Sequence, residues 1–190
     1  STPRSSVERY TFPKGQGNLL FNLGNGLTNE IGATLRRVSD TEFEGFRLLG
    51  TFCYNPDAVF PMYFVVRVSK QPKQSGYWKK QPEMKGAAAE WDQYSGKYKL
   101  YPRYGRDIAG NDIGYYMTFD CAEETQVEVQ VGVSFVSIAN ARENLEAEQP
   151  VCDFNAVARE ARADWARTLD RVTVEGGTEE QRRVFYTALY

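Results

Sequence analysis

Histidine is absent from these 190 residues, and the absence excludes a great deal of chemistry. Without imidazole there is no Ser-His or Cys-His nucleophile pair, and the commonest ligand of zinc and iron is missing. Any chemistry here would rest on carboxylates, lysine, tyrosine or oxygen-ligated cations. Cysteine is scarce: Cys53, Cys121 and Cys152 are odd in number and widely spaced, with no CxxC. They read as isolated core or surface thiols, and one disulfide remains an alternative that spacing cannot choose. A charge excess is lacking too. Lys+Arg 23 against Asp+Glu 25 leaves a net charge of -2, which gives no electrostatic footprint for nucleic acid. No apolar run reaches the roughly 18 residues of a membrane-spanning helix. The opening Ser1-Thr2-Pro3-Arg4-Ser5-Ser6 has no apolar h-region, although in a piece of a longer protein this says nothing about secretion.

What is present is aromatic and alternating. Aromatics make up 14% of the chain, which fits a β-rich core or sugar-contacting surfaces. Val7 to Phe12 alternates and stops at Pro13; Asn18 to Leu23 is a short apolar strand; Ile31, Ala33 and Leu35 share one face. Ser39-Asp40 turns the chain into Thr41 to Phe46, and Val59 to Val68 is apolar on both faces, as in the middle of a sandwich. Residues 71 to 110 hold no period and read as a long excursion, with a hairpin near Lys97–Leu100; loops of this length are usually functional or mobile. Gly114 to Phe119 restores order. Val127 to Phe135 is the cleanest strand, apolar at every second place.

The character then changes. Ser137 caps a helix from Ile138 to Glu148, stopped by Pro150. Asp153 caps a second, with Phe154, Val157, Ala158, Ala161, Trp165 and Leu169 on one stripe, expected to dock on the sheet. Arg171 to Glu175 reads as a short strand and Gly176-Gly177 as a hinge. Thr178-Glu179-Glu180-Gln181 forms a capping box opening a third helix. Its apolar face (Val184, Phe185, Ala188, Leu189) has no later helix to meet within the sequence, and the expectation is a longer parent protein. The fold class is therefore mainly β, an antiparallel sandwich followed by linker helices. The expected units are a β-sandwich over 1–136, a helical linker over 137–175 and the first helix of a further domain over 176–190.

Candidate sites are few. Glu42 with Glu44, Glu123 with Glu124, and Asp107 with Asp112 are carboxylate pairs, all expected to be solvated surface charge. Asp107 to Asp112 is loosely calcium-loop-like but lacks the EF-hand order and closing Glu; a plain turn is expected. Gly24-Asn25-Gly26 lacks the Gly-Lys-Ser/Thr of a phosphate loop. The aromatic excursion is the better candidate: Trp78, Trp91 and Tyr94, with Tyr77, Tyr98, Tyr101 and Tyr104 around them, could stack on the C–H faces of sugars. The plainer alternative is a loop pinned to the sheet by its aromatics.

Several stretches resemble glycoside hydrolase family 92. They are Val133 to Glu148, Val174 to Gln181 and Phe185 to Tyr190, with echoes at Arg9-Tyr10-Thr11-Phe12-Pro13, Val38 to Gly45, Tyr63-Phe64-Val65 and Gly76-Tyr77-Trp78. They occur in the family's order. The resemblance implies the N-terminal β-domain, a supersandwich of galactose-mutarotase-like type, leading through helices into an (α/α)6 barrel. It further implies an exo-acting, inverting, calcium-dependent α-mannosidase, often α-1,2-specific, acting on N-glycan or mannan chains. The calcium and the catalytic acid and base would lie in the barrel beyond Tyr190, so no catalytic or metal residue transfers to this chain, which alone is expected to be inactive. The partners implied are that barrel and mannose-containing glycans, and the location implied is periplasmic, cell-surface or secreted. The alternative function is an independent carbohydrate-binding module using the aromatic loop 77–104.

Overall fold

The computed structural model describes residues 1–24, 32–50, 58–80 and 97–190. Among them ten strands form two antiparallel sheets. They are β1 (Ser5–Phe12), β2 (Gly15–Asn22), β3 (Ala33–Arg37), β4 (Glu42–Leu49), β5 (Phe60–Val68), β6 (Gln74–Lys80), β7 (Tyr98–Pro102), β8 (Ile108–Gly110), β9 (Ile113–Cys121) and β10 (Thr125–Ser134). One sheet has the order β1-β10-β5-β4-β3-β8, the other β2-β9-β6-β7. Helices α1 (Ile138–Glu148), α2 (Phe154–Leu169) and α3 (Glu179–Leu189) follow.

The two sheets face each other through alternate residues. Val127 and Val129 of β10, Val66 and Val68 of β5, Phe43 of β4 and Leu35 of β3 meet Leu19 of β2, Tyr77 of β6 and Tyr115, Met117 and Phe119 of β9. Phe43 stacks on Tyr115 with ring centroids 4.6 Å apart. The buried tyrosines keep their hydroxyls bonded: Tyr115 donates to Ser75 Oγ at 3.1 Å, and Tyr77 accepts from the Arg37 N–H at 2.8 Å. Such partners offset the cost of placing polar atoms in a dry core.

The stretch read as an excursion contains three of these strands. β6 pairs with β9 and with β7, and β8 pairs with β3. Ser75 to Trp78 is buried on both faces, so β6 carries no alternation for the eye to find. A second difference lies at 171–175, which is not a strand. Val172 and Val174 alternate correctly but have no neighbouring strand among the described residues, and the hydroxyl of Tyr186 takes up the Val172 carbonyl and the Val174 N–H instead.

Three residues separate β10 from helix α1, which folds back onto the outer face of the six-stranded sheet. Ser137 caps it by accepting from the Asn140 N–H. Ala141 and Leu145 seat on Val65, flanked by Tyr63 and Ile138. The approach is close because β10 presents Gly132 there: a Cβ would fall 2.4 Å from the Ala141 carbonyl oxygen. Helix α2 docks by its first turns alone. Val157 is buried and the Arg9 guanidinium carbon lies 4.7 Å from the Phe154 ring centroid. Further along the stripe Trp165 is 47% exposed and rests against Tyr190, not the sheet.

Candidate functional site at the sheet–helix junction

The strand register sets up the chemistry of this junction. On the outer face of the six-stranded sheet, Arg36 stands opposite Glu44 and Glu42 opposite Arg67. Arg142 descends from α1, one turn before Leu145, and bridges both carboxylates. Its Nη1 donates to Glu42 Oε1 at 2.6 Å and its Nη2 to Glu44 Oε2 at 2.5 Å. Arg67 donates to Glu42 Oε2 at 2.6 Å and to Glu146 Oε1 at 3.0 Å. Arg36 donates to Glu44 Oε1 through Nε, at 2.9 Å, and through Nη2. Six charges alternate in one line from β3 to α1.

The expectation that Glu42 and Glu44 are solvated does not hold. The Glu44 side chain is 2% exposed and that of Glu42 12%, because α1 lies over them. Burial pushes the Glu42 carboxyl up, but the hydrogen bonds from Arg67 and Arg142 outweigh it and leave it below the usual range. An acid–base pair for glycoside hydrolysis needs one carboxyl kept protonated. Glu42, held below the usual range by Arg67 and Arg142, is ill suited to be that acid, and Glu44 is hydrogen-bonded to Arg36 and Arg142. This pair is a clasp.

Two further knots tie the helices to β1. Glu148, the last residue of α1, accepts from Thr2 Oγ1 at 2.5 Å, from the Arg4 N–H at 3.0 Å and Arg4 Nε at 2.7 Å, and from Ser5 Oγ at 3.0 Å. Burial alone would raise its carboxyl; these donors bring it down to about 2. Gln149 then donates to Ser5 Oγ at 2.9 Å and Gln130 to the Gln149 carbonyl at 3.1 Å. In the second knot Glu128 accepts from Arg9 Nη2 at 2.6 Å, from the Phe154 N–H at 3.2 Å and from the Cys152 thiol at 3.4 Å. Burial and the neighbouring Glu128 carboxylate push the Cys152 thiol up to about 11. Cys152 and Cys121 are both free thiols; Cys53 lies outside the described residues.

The sugar-stacking candidates divide. Trp91 and Tyr94 lie outside the described residues. Trp78 is 3% exposed. It lies across Gly114, whose Cβ would be 2.4 Å from the indole, and its N–H reaches the Phe21 carbonyl at 3.2 Å. Tyr98 packs edge-on against it at 5.4 Å. In this arrangement Trp78 secures β6 to β9 and β2 and offers no free ring face. Tyr77 is equally buried, while Tyr98 and Tyr104 are exposed. Glu123 and Glu124 sit exposed in the β9–β10 turn, and exposed Asp107 and Asp112 flank β8. Calcium finds no fit here: among the described residues no three carboxylate or thiol side chains converge, and the close pair Glu42 and Glu44 is taken by arginine. No described helix is long and apolar enough to cross a membrane.

The signal for the clasp was present in the composition of three strands. Arg36, Glu42, Glu44 and Arg67 occupy outward positions with complementary signs, but neither their register nor the fold-back of α1 that brings Arg142 onto them is encoded locally.

Comparison with known proteins agrees along the whole chain. Residues 1–134 match the Glycosyl hydrolase family 92 N-terminal domain, and residues 140–190 the Glycosyl hydrolase family 92 catalytic domain. Among solved structures the chain is similar to a family GH92 α-mannosidase from Bacteroides thetaiotaomicron, with 20% identity and a TM-score of 0.72 over 93% of this chain and 22% of that one. It is similar also to a family GH92 inverting mannosidase from Bacteroides thetaiotaomicron VPI-5482, with 24% identity and a TM-score of 0.76 over 100% of this chain and 23% of that one. A third is the GH92 family glycosyl hydrolase ccman5, at 26% identity and TM-score 0.75 over 98% of this chain and 23% of that one. The chain thus spans about a fifth to a quarter of the length of the solved proteins it matches. No curated protein sequence matches it.

Proposed function

The chain belongs to glycosyl hydrolase family 92, and from that premise we propose that it is the β-domain and first helices of a longer, inverting, calcium-dependent α-mannosidase. Its role is to mount the catalytic domain. The observation that carries this reading is the position of the clasp. The N-terminal-domain match ends at 134 and the catalytic-domain match begins at 140, and Arg142, Glu146 and Glu148 lie just past that boundary, gripping β1, β4 and β5. The first helix of the catalytic match is thereby fixed to the sandwich through buried ion pairs and an apolar seat. The acid, the base and the calcium belong to the remainder of the catalytic domain. Substrates are mannose-containing glycans, with α-1,2 linkages first, met in the periplasm, at the cell surface or outside the cell.

The test compares two proteins. The 190-residue chain, given α-1,2-mannobiose and calcium, releases no mannose above background. A protein extending through the complete catalytic domain releases β-mannose first, seen by proton NMR, loses activity in EDTA and regains it with calcium. Turnover by the 190-residue chain freed of contaminating enzyme, or release of α-mannose first, refutes the proposal.

A further inference from the structure

Two consecutive glycines between helices read as a swivel, yet Gly176 and Gly177 stand in a corner that α3 holds from three sides. Tyr186 places its hydroxyl between two backbone groups of the preceding loop: it donates to the Val172 carbonyl at 3.2 Å and accepts from the Val174 N–H at 3.4 Å. Arg182 donates through Nη1 to the Gly176 carbonyl at 3.1 Å and the Gly177 carbonyl at 3.3 Å. The capping box closes the third side, with Gln181 Oε1 accepting from the Thr178 N–H at 2.8 Å and Thr178 Oγ1 from the Gln181 N–H at 3.2 Å. Backbone groups of five of the seven loop residues from Val172 to Thr178 are thus bound by side chains within the first three turns of α3.

The glycines serve this geometry. Their φ values are +79° and +69°, left-handed conformations that side chains adopt at a cost. In that corner both carbonyls turn toward Arg182. A Cβ on Gly177 would also sit 3.0 Å from Gln181 Oε1, the acceptor of the capping box. Within α3, Tyr186 is the most sheltered residue, and Phe185 beside it is 37% exposed. The side chain sheltered from solvent is the one that grips the loop.

We infer that residues 172–178 form a preset elbow, with Tyr186 and Arg182 as positioning residues that make loop and α3 one rigid unit. If the function proposed above is correct, the elbow presets the direction in which the catalytic domain's next helices leave the junction; the elbow itself stands without that reading. Bending between sandwich and α3 would then occur before Val172, not at the diglycine.

Backbone 15N relaxation on the 190-residue chain tests this, independently of any activity. Order parameters of residues 173–178 are expected to equal those of α3, about 0.85. In the double variant Tyr186→Phe/Arg182→Gln they fall below about 0.6, while α3 keeps its helical shifts because Thr178 and Gln181 are untouched. Exchange of the Val174 amide quickens about tenfold in Tyr186→Phe alone. Both substitutions leave the β-sandwich untouched, so its amide shifts certify the fold. The inference is overturned by a loop already below about 0.6 in the unaltered chain, or by a double variant whose loop stays as ordered as before.

Discussion

Replacing Arg142 with Met tests whether the clasp holds α1 or merely decorates it. The aliphatic stem is kept and two charge-assisted hydrogen bonds are lost, at 2.6 and 2.5 Å. Removing one member of a buried ion pair costs about 3–5 kcal/mol when the other is left bare. Here neither carboxylate is bare, since Glu44 keeps Arg36 and Glu42 keeps Arg67, and Arg142 is itself 29% exposed. The expected loss is therefore smaller, about 2 kcal/mol, or a fall in Tm of about 4–8 °C for a chain of this size. Urea unfolding followed by tryptophan fluorescence measures it, with an unchanged m-value as the sign that the reference states are intact. Glu44→Gln and the double variant complete a cycle in which a coupling of about 1–2 kcal/mol is expected. Because Glu44 is shielded by α1, raising salt to 1 M should leave most of that coupling in place. A loss under about 0.5 kcal/mol with no coupling would mean that these are ordinary surface pairs, and the mounting role would lose its support.

Three other outcomes follow from the same geometry. Glu148 titrates near 2 in the folded chain against an ordinary 4.5, so it stabilises the fold above about pH 4.5 and ceases to as pH falls toward 2; Glu148→Gln should lower Tm at pH 7 and flatten the Tm profile between pH 5 and 2 in calorimetry. Cys152, raised to about 11 by burial and Glu128, should alkylate slowly with iodoacetamide at pH 8, and Glu128→Gln should quicken it about tenfold for each unit the thiol falls, read site by site in a mass spectrometer. Gly132→Ala drives a Cβ to 2.4 Å from the Ala141 carbonyl oxygen and 2.6 Å from Leu145 Cβ; it should cost about 1–3 kcal/mol and open α1 to limited proteolysis.

The legible parts of this fold are those where one face is wet. In β10 the valines 127, 129, 131 and 133 point to the core while Glu128, Gln130 and Gly132 face the helices, and the alternation is plain in the sequence. Helix caps at Ser137, Asp153 and Thr178 were equally readable, because each is a local bond between residues three apart. β6 was hidden because both its faces are covered. The segment 171–175 misled because Val172 and Val174 imitate a strand whose partner is a tyrosine hydroxyl. Most of the junction was illegible for a different reason. Glu42 and Arg142 are 100 positions apart and become neighbours only through strand register and the fold-back of α1. No local pattern encodes that meeting. The same holds for Trp78, whose buried place depends on a glycine in β9.

The pairing of β1 with β10 also has a consequence for how the chain is made. Among the described strands β10 alone pairs with β1, and Arg9 meets Glu128 across 119 positions. A ribosome adding about 5–20 residues per second would leave Ser5–Phe12 waiting about 6–24 s for the backbone partners that β10 supplies. Tyr10 and Phe12 stand exposed to other nascent chains for that interval. Pairing with so distant a strand is slow to form, so the hazard of this architecture lies in its synthesis, before any helix exists to be gripped.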